Sequence, residues 1–346
     1  MRASLSNRET PPKAVIFGCV GPSLTDAERD FFRATDPAGF ILFQRNCVRP
    51  DQVAALVAEL KSVSSRPDTP VLIDQEGGRV QRLKPPHWRA APAAGKIAAL
   101  APAAAERAAW INARLIAAEL LALGITVNCA PVLDTPVPGA HEIIGNRALG
   151  GDPEQIARLG RAVMQGLEAG GVLPVIKHIP GHGRALVDSH EHCPVVEADD
   201  AALTARDLPP FQALADAPLA MTAHVVYTAW DATQPATLSA RVVGDIIRTR
   251  IGFGGALLTD DLSMKALGGR LAERASRALA AGCDLVLHCN GKFEEMVELA
   301  ASIEPLTELA AARFAQALAR RRLPEPADLR ALSAELDALM AGTAGT

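Results

Sequence analysis

The sequence contains no run of 18 or more apolar residues, so it offers no candidate for a membrane-spanning helix. Its start, Met1 to Lys13, is polar, with Arg2, Arg8 and Glu9 and no apolar core of a secretory signal; the expected location is the cytoplasm, with no membrane partner. A basic excess is also missing. The 35 Lys and Arg stand against 39 Asp and Glu, a net charge of -4, whereas a general nucleic-acid binder needs the opposite balance. Arg320-Arg321-Arg322 does not change this, because the run closes an Ala-rich helical stretch before Pro324, where cations suit a helix C-terminus. The six cysteines (Cys19, Cys47, Cys129, Cys193, Cys283, Cys289) include no Cys-x-x-Cys pair, and most lie inside apolar runs, as free thiols of a reducing compartment do. Aromatic residues make up 4% of the chain, with one tyrosine, Tyr227, and three tryptophans, Trp88, Trp110 and Trp230. That is too few for a long stacking platform under a polymer.

What the sequence does have is a rhythm of short apolar runs between long Ala/Leu-rich stretches of helical spacing. Eight runs qualify as strands: Ala14 to Gly18, Gly39 to Phe43, Pro70 to Asp74, Ile125 to Cys129, Leu173 to Lys177, Leu219 to Ala223, Gly255 to Thr259 and Asp284 to His288. Near-continuous apolar strands, each followed by a helix, form parallel sheets covered on their outer face, and eight such units predict a closed (β/α)8 barrel of the TIM type. A doubly wound open sheet is the competing architecture. Polar residues follow nearly every run, at Gln44-Arg45-Asn46, Asp74-Gln75-Glu76, Asp134, Lys177-His178, His224, Asp260-Asp261 and Asn290, which favours a ring of loops around one central site. The expected organisation is one domain over residues 1–346. Its barrel core covers about 14–290, and C-terminal helices follow around Phe293 to Ile303, Leu306 to Arg322 and Pro326 to Met340.

Three clusters could carry chemistry. The densest runs from Lys177 to His192 and holds four of the chain's eight histidines, His178, His182, His190 and His192. Gly181 and Gly183 allow a tight turn there, and Asp188, two residues before His190, could orient and charge an imidazole for general acid/base work. A zinc site built from His178, His182, Asp188, His190 and His192 is the alternative, with His192 the most easily read as structural. The second cluster, Asp260-Asp261, closes the seventh strand. Alternation sends one carboxylate to the barrel mouth and the other sideways, and Asp261 is expected to cap a helix starting at Leu262. The third, Asp74 to Arg82, arranges acids and bases around Gly77-Gly78, a pattern suited to holding hydroxyl groups.

Five motifs together, Asp74-Gln-Glu-Gly-Gly-Arg-Val-Gln-Arg82, Ile144-Gly-Asn-Arg147, Lys177-His-Ile-Pro-Gly-His-Gly183, Asp188-Ser-His190 and Thr259-Asp-Asp-Leu-Ser-Met264, resemble those of family 3 glycoside hydrolases. Among these they are most similar to the bacterial β-N-acetylglucosaminidases of peptidoglycan recycling. The resemblance covers roughly Ala14 to Asn290, in matching order. It implies a retaining double displacement, with Asp260 as nucleophile, His190 as an unusual histidine acid/base and Asp188 as its tuning partner. Asp74, Arg82, Arg147, Lys177 and His178 match the residues that hold the sugar. It further implies a small soluble muropeptide as substrate, no cofactor and no metal. The single domain is then catalytic and acts as a monomer. Arg184, Ile179 and Cys193 depart from the family's usual residues and put loop detail in doubt. A metal-dependent barrel hydrolase, a β-glucosidase or phosphorylase variant of the same family, and a non-catalytic sugar-binding barrel are the competing readings.

Overall fold

A computed structural model describes residues 11–189 and 192–342. Eight strands close into a barrel: β1 (Lys13–Phe17), β2 (Pro37–Leu42), β3 (Val71–Ile73), β4 (Val127–Asn128), β5 (Leu173–Ile179), β6 (Leu219–Thr222), β7 (Ala256–Asp261) and β8 (Leu285–His288). Every neighbouring pair is parallel, and the ring shuts where Val15 of β1 pairs with Val286 of β8. This is the expected (β/α)8 barrel. The open-sheet alternative is excluded, because each of the eight strands hydrogen-bonds to two neighbours and no edge strand remains in the ring.

The strands are apolar on both faces for a physical reason. Inward side chains fill the barrel and outward ones meet the helical jacket, so Val15, Ile16, Phe17, Phe40, Ile41, Leu42, Val175, Ile176, Leu257, Leu258 and Val286 are all buried. Each fully buried Leu, Ile or Phe contributes about 1.5–3 kcal/mol relative to an exposed one. The helices start where the sequence gives capping signals. In α1 (Asp26–Thr35), Thr25 Oγ1 accepts from Glu28 N while the Glu28 carboxylate accepts from Thr25 N at 2.9 Å, a reciprocal capping box. After α2 (Pro50–Val63) and the long α3 (Pro102–Ala122), α4 (Pro153–Ala169) begins with Asp152 as N-cap and Pro153 in the first turn. The last two of these pack closely: a Cβ at Gly166 would sit 2.4 Å from the Trp110 carbonyl oxygen. Gly166→Ala would therefore push the two helices apart.

Three C-terminal helices, Phe293–Ser302, Glu308–Ala319 and Leu329–Ala341, follow; the first two lie within the predicted ranges and the third runs one residue past Met340. Arg320, just past the second of them, pairs with Glu168 of α4 at 2.9 Å. Among the described residues no helix is long and apolar enough to cross a membrane. Two features go beyond the simple alternation. A two-stranded ribbon, Gln75–Gly77 with Val80–Gln81, turns through Gly77 and Gly78, both at positive φ, immediately after β3. A small sheet of Val195–Val196, Val226–Tyr227 and Asp231–Pro235 joins the segments that follow β5 and β6.

Candidate active site

The C-terminal ends of the strands converge on a cavity of about 250 Å³. Its wall includes Asp74, Glu76, Asp260 and Asp261 against Arg79, Arg82, Arg147 and Lys177, with His178, His182 and Ser189 beside them and Ile41, Met221 and Leu287 beneath. Four carboxylates thus face four cations. Sequence analysis singles out Asp74, Arg82, Arg147, Lys177, His178 and Asp260, and the fold brings all six to this one cavity. Asp188 lies on the half-buried stretch next to Ser189, which itself lines the cavity, while His190 lies outside the described residues.

Each group arrives there by a local cause. Asp74 follows β3, and the ribbon after it folds Arg82 back so that its guanidinium meets the Asp74 carboxylate at 3.0 Å and stacks over the Phe43 ring, 5.0 Å from its centroid. Lys177, buried in β5, donates to Asp74 at 2.8 Å and reaches Glu76 at 2.6 Å. Arg147 enters from the loop after β4 and grips Glu76 with two hydrogen bonds of 2.8 Å. Arg79 supports that loop by donating to the backbone oxygens of Glu142 and Ile143, both at 2.6 Å. His178 follows Lys177 across a cis peptide, and the register of β5 on β6 shifts between Lys177 and Ile179; both side chains line the cavity.

Burial opposes the ionisation of Asp74, but Lys177 and Arg82 outweigh it and hold the carboxyl below the usual range. Glu76 is likewise disfavoured by burial yet lowered to about 2 by Arg147 and Lys177. Burial would neutralise Lys177, but Asp74 and Glu76 keep it an ammonium with a raised pKa. The cluster therefore presents carboxylates that accept and cations that donate, which is what a polyhydroxylated ligand needs.

Two residues that carry much of this geometry escape the sequence reading as site residues, although both stand in polar stretches at strand ends. Glu76 is the shared partner of Arg147 and Lys177. Asp134 is fully buried, and its Oδ2 lies 2.7 Å from His178 Nδ1 while its Oδ1 accepts from the backbone N of His178 at 3.2 Å and of His182 at 2.6 Å. Burial would raise the Asp134 pKa, but His178 brings it down to about 2. A lone Asp after a strand gives no sign of this pairing, since the partner lies 44 residues away.

Asp261 departs from expectation. It lines the cavity with Asp260 instead of turning sideways, and no helix starts at Leu262; the next begins at Leu271. The register of β7 on β8 shifts between Leu258 and Asp261, which removes strict alternation at the strand's end. Asp261 caps a turn instead: its Oδ1 accepts from the backbone N of Ser263 at 3.0 Å and of Cys289 at 3.1 Å, and its Oδ2 from Ser263 Oγ at 2.6 Å. Asp260 Oδ1 accepts from Asp261 N at 2.8 Å. Other strand-end polar groups are fasteners. Arg45 donates to the carbonyls of Cys19 and Cys289, at 2.9 and 2.6 Å, and Asn290 to Glu295 at 2.6 Å.

The described histidines of the rich segment are engaged separately: His178 Nδ1 meets Asp134 Oδ2, His182 Nε2 meets Ser189 Oγ at 3.0 Å, and His192 is exposed. Among the described residues no group of three or more His, Cys, Asp or Glu is placed to hold a metal ion.

A closed parallel barrel with its charged residues gathered at the C-terminal mouth is the form that barrel enzymes take. Residues 17–322 match the N-terminal domain of glycosyl hydrolase family 3, and the chain belongs to that family. It is 42% identical over 282 residues to a beta-hexosaminidase of Methylococcus capsulatus, covering 80% of this chain and 82% of that one. In three dimensions it is similar to native NagZ from Neisseria gonorrhoeae, with TM-score 0.82, 35% identity and 97% and 98% of the two chains covered. It is also similar to a beta-N-acetylhexosaminidase from Beutenbergia cavernae, with TM-score 0.72, 29% identity and 96% of each chain covered.

Proposed function

We propose that the protein is a retaining β-N-acetylglucosaminidase that removes a terminal β-linked N-acetylglucosamine from small soluble muropeptides during cell-wall recycling. The observation that carries this reading is the placement of Asp260 in one small cavity with the ionised Asp74, Lys177, Arg82 and Arg147 cluster. The kinship with proteins named beta-hexosaminidase and NagZ supports the choice of sugar. A cavity of about 250 Å³ suits one sugar unit better than a run of them, being at the small end for ligand sites.

The reaction follows from the groups present. Asp74, Arg82, Arg147, Lys177 and His178 hold the hydroxyl and acetamido groups of the ring. Asp260 attacks the anomeric carbon, the bond to the leaving oxygen breaks, and that oxygen takes a proton from His190. The product of this step is a glycosyl ester of Asp260. Water then attacks the same carbon, giving its proton back to His190, and the ester carboxylate leaves. A histidine can serve both half-reactions because its ordinary pKa lies near neutrality, and Asp188 favours its charged form. The chain works as a single catalytic barrel, as a monomer in the cytoplasm, without cofactor. The decisive experiment compares turnover of a chromogenic N-acetyl-β-glucosaminide with that of the matching glucoside, with and without phosphate. Hydrolysis of the first alone, at a rate phosphate does not change, is expected; preference for the glucoside, or release of a sugar phosphate, overturns the assignment.

A further inference from the structure

The segment after β5 is tied down residue by residue. Gly181 accepts from Tyr227 Oη at 2.6 Å through its carbonyl oxygen, His182 N donates to Asp134, and Arg184 pairs at 2.7 Å with Asp207, whose side chain is almost wholly buried. A Cβ at Gly183 would come within 2.1 Å of the Thr135 carbonyl oxygen, so this stem is pressed against the loop after β4. Beyond it Leu186 and Val187 are exposed, and the chain regains the cavity wall at Ser189. His182 meets Ser189 there, and both side chains are buried.

We propose that His182 and Ser189 form a latch, a pair of positioning residues that fixes Ser189, and through the chain its neighbour Asp188, at the cavity wall. The inference rests on the reading of Asp188 and His190 as the proton-transferring pair. Burial first, and the neighbouring His178 second, push the His182 pKa down to about 4, so its ring is neutral near pH 7 and carries one N–H. Its Nδ1 is buried without a hydrogen-bond partner among the described residues. An orphaned buried N–H is rarer and costlier than an orphaned lone pair, so the proton belongs on Nε2, which donates to Ser189 Oγ. The donor is rigid because Asp134 holds the His182 backbone from below. Ser189 sits between Asp188 and His190 in the chain, so a shift of its Cα moves both neighbours, and misplacing a reacting group by about 1 Å can cost roughly 100-fold in rate.

The test uses Ser189→Ala, which deletes one hydroxyl next to an exposed stretch and leaves the stem intact. With a poor leaving group, kcat/KM should fall by about 10- to 100-fold, and with a dinitrophenyl leaving group, which needs no proton, by less than about 3-fold. Affinity for N-acetylglucosamine should stay within about 2-fold, since the sugar-holding cluster is untouched. His182→Leu should behave as Ser189→Ala does, and His182→Gln, whose amide places a donor near the lost Nε2–H, should recover part of the loss. In the background of His190→Ala, Ser189→Ala should cost nothing further. Equal losses for good and poor leaving groups, or full additivity with His190→Ala, would overturn the latch. A His190→Ala enzyme indifferent to its leaving group would instead overturn the proton-transfer reading itself, and that result is visible without Ser189→Ala.

Discussion

Arg147 clasps Glu76 through two parallel hydrogen bonds of 2.8 Å, and Glu76 is thereby kept ionised inside the barrel mouth even though burial opposes it. The pair matters because Lys177 completes it from β5 and carries the charge on to Asp74 and Arg82. Glu76→Ala would strip Arg147 of its carboxylate and leave a buried guanidinium with, among the described residues, the Ile143 carbonyl as its remaining hydrogen-bond acceptor. Breaking one half of a buried ion pair costs about 3–5 kcal/mol. The expected outcome in urea denaturation is a loss of that order, with a raised KM. Glu76→Gln, which keeps the shape and one acceptor, should lose less on both counts. A Glu76→Ala protein as stable as the parent would contradict the clasp.

Lys177 Nζ occupies the point between Asp74 and Glu76 where a divalent cation would otherwise be drawn, so the two nearest carboxylates are already compensated. Activity should therefore survive dialysis against a strong chelator. Loss of turnover that returns only on adding zinc would sink this expectation.

The His178–Asp134 pair predicts a pH dependence of stability. Asp134 and Glu76 have folded-state pKa values near 2, below the ordinary carboxyl range of about 4. A depressed folded pKa contributes stability that is fully present above the unfolded pKa and is lost as pH falls through the folded one. The part of the urea midpoint that Asp134 and Glu76 carry should thus be level from pH 7 to about 5 and drop between about pH 4 and 2. Asp134→Asn should start less stable at neutral pH and lose less over that acid window. An equal acid slope for parent and Asp134→Asn would show that the pair does not contribute.

How much of this was written in the sequence depends on the range of the interaction. All eight strands were legible because a parallel strand must be apolar on both faces, a pattern visible in five consecutive residues such as Ala14 to Gly18. The motif residues Asp74, Lys177 and Asp260 stood out because charges at strand ends are conspicuous after an apolar run. Asp134 and Glu76 were equally visible as letters, but their worth lies in partners 44 and 71 positions away that only the closed barrel brings together. Asp261 departs from the expected placement for a local reason: alternation holds only while register holds, and β7 slips against β8 between Leu258 and Asp261.

That slip bears on the choice between two routes open to an N-acetyl sugar. In one, the substrate's own acetamido oxygen attacks the anomeric carbon while neighbouring acids orient it; in the other, an enzyme carboxylate attacks. Both Asp260 and Asp261 line the cavity, so position alone does not separate them. The hydrogen bonds of Asp261 tell against its acting as the orienting acid. Asp261 accepts three hydrogen bonds, from Ser263 N, Ser263 Oγ and Cys289 N, which hold its carboxylate to the turn after β7 and make it a poor partner for an acetamido group. On the function proposed above Asp260 is the attacking carboxylate, and the expected outcome is a covalent intermediate on it. A fluorinated mechanism-based substrate, which slows breakdown of the intermediate, should add one sugar mass to the protein, and digestion should place it in the peptide spanning Leu258 to Met264. Asp260→Ala should abolish the labelling, and Asp261→Asn should keep it at a reduced rate. If the protein stays unlabelled while a cyclic thiazoline mimic of the acetamido intermediate inhibits tightly, the substrate itself is the nucleophile and Asp260 only orients it.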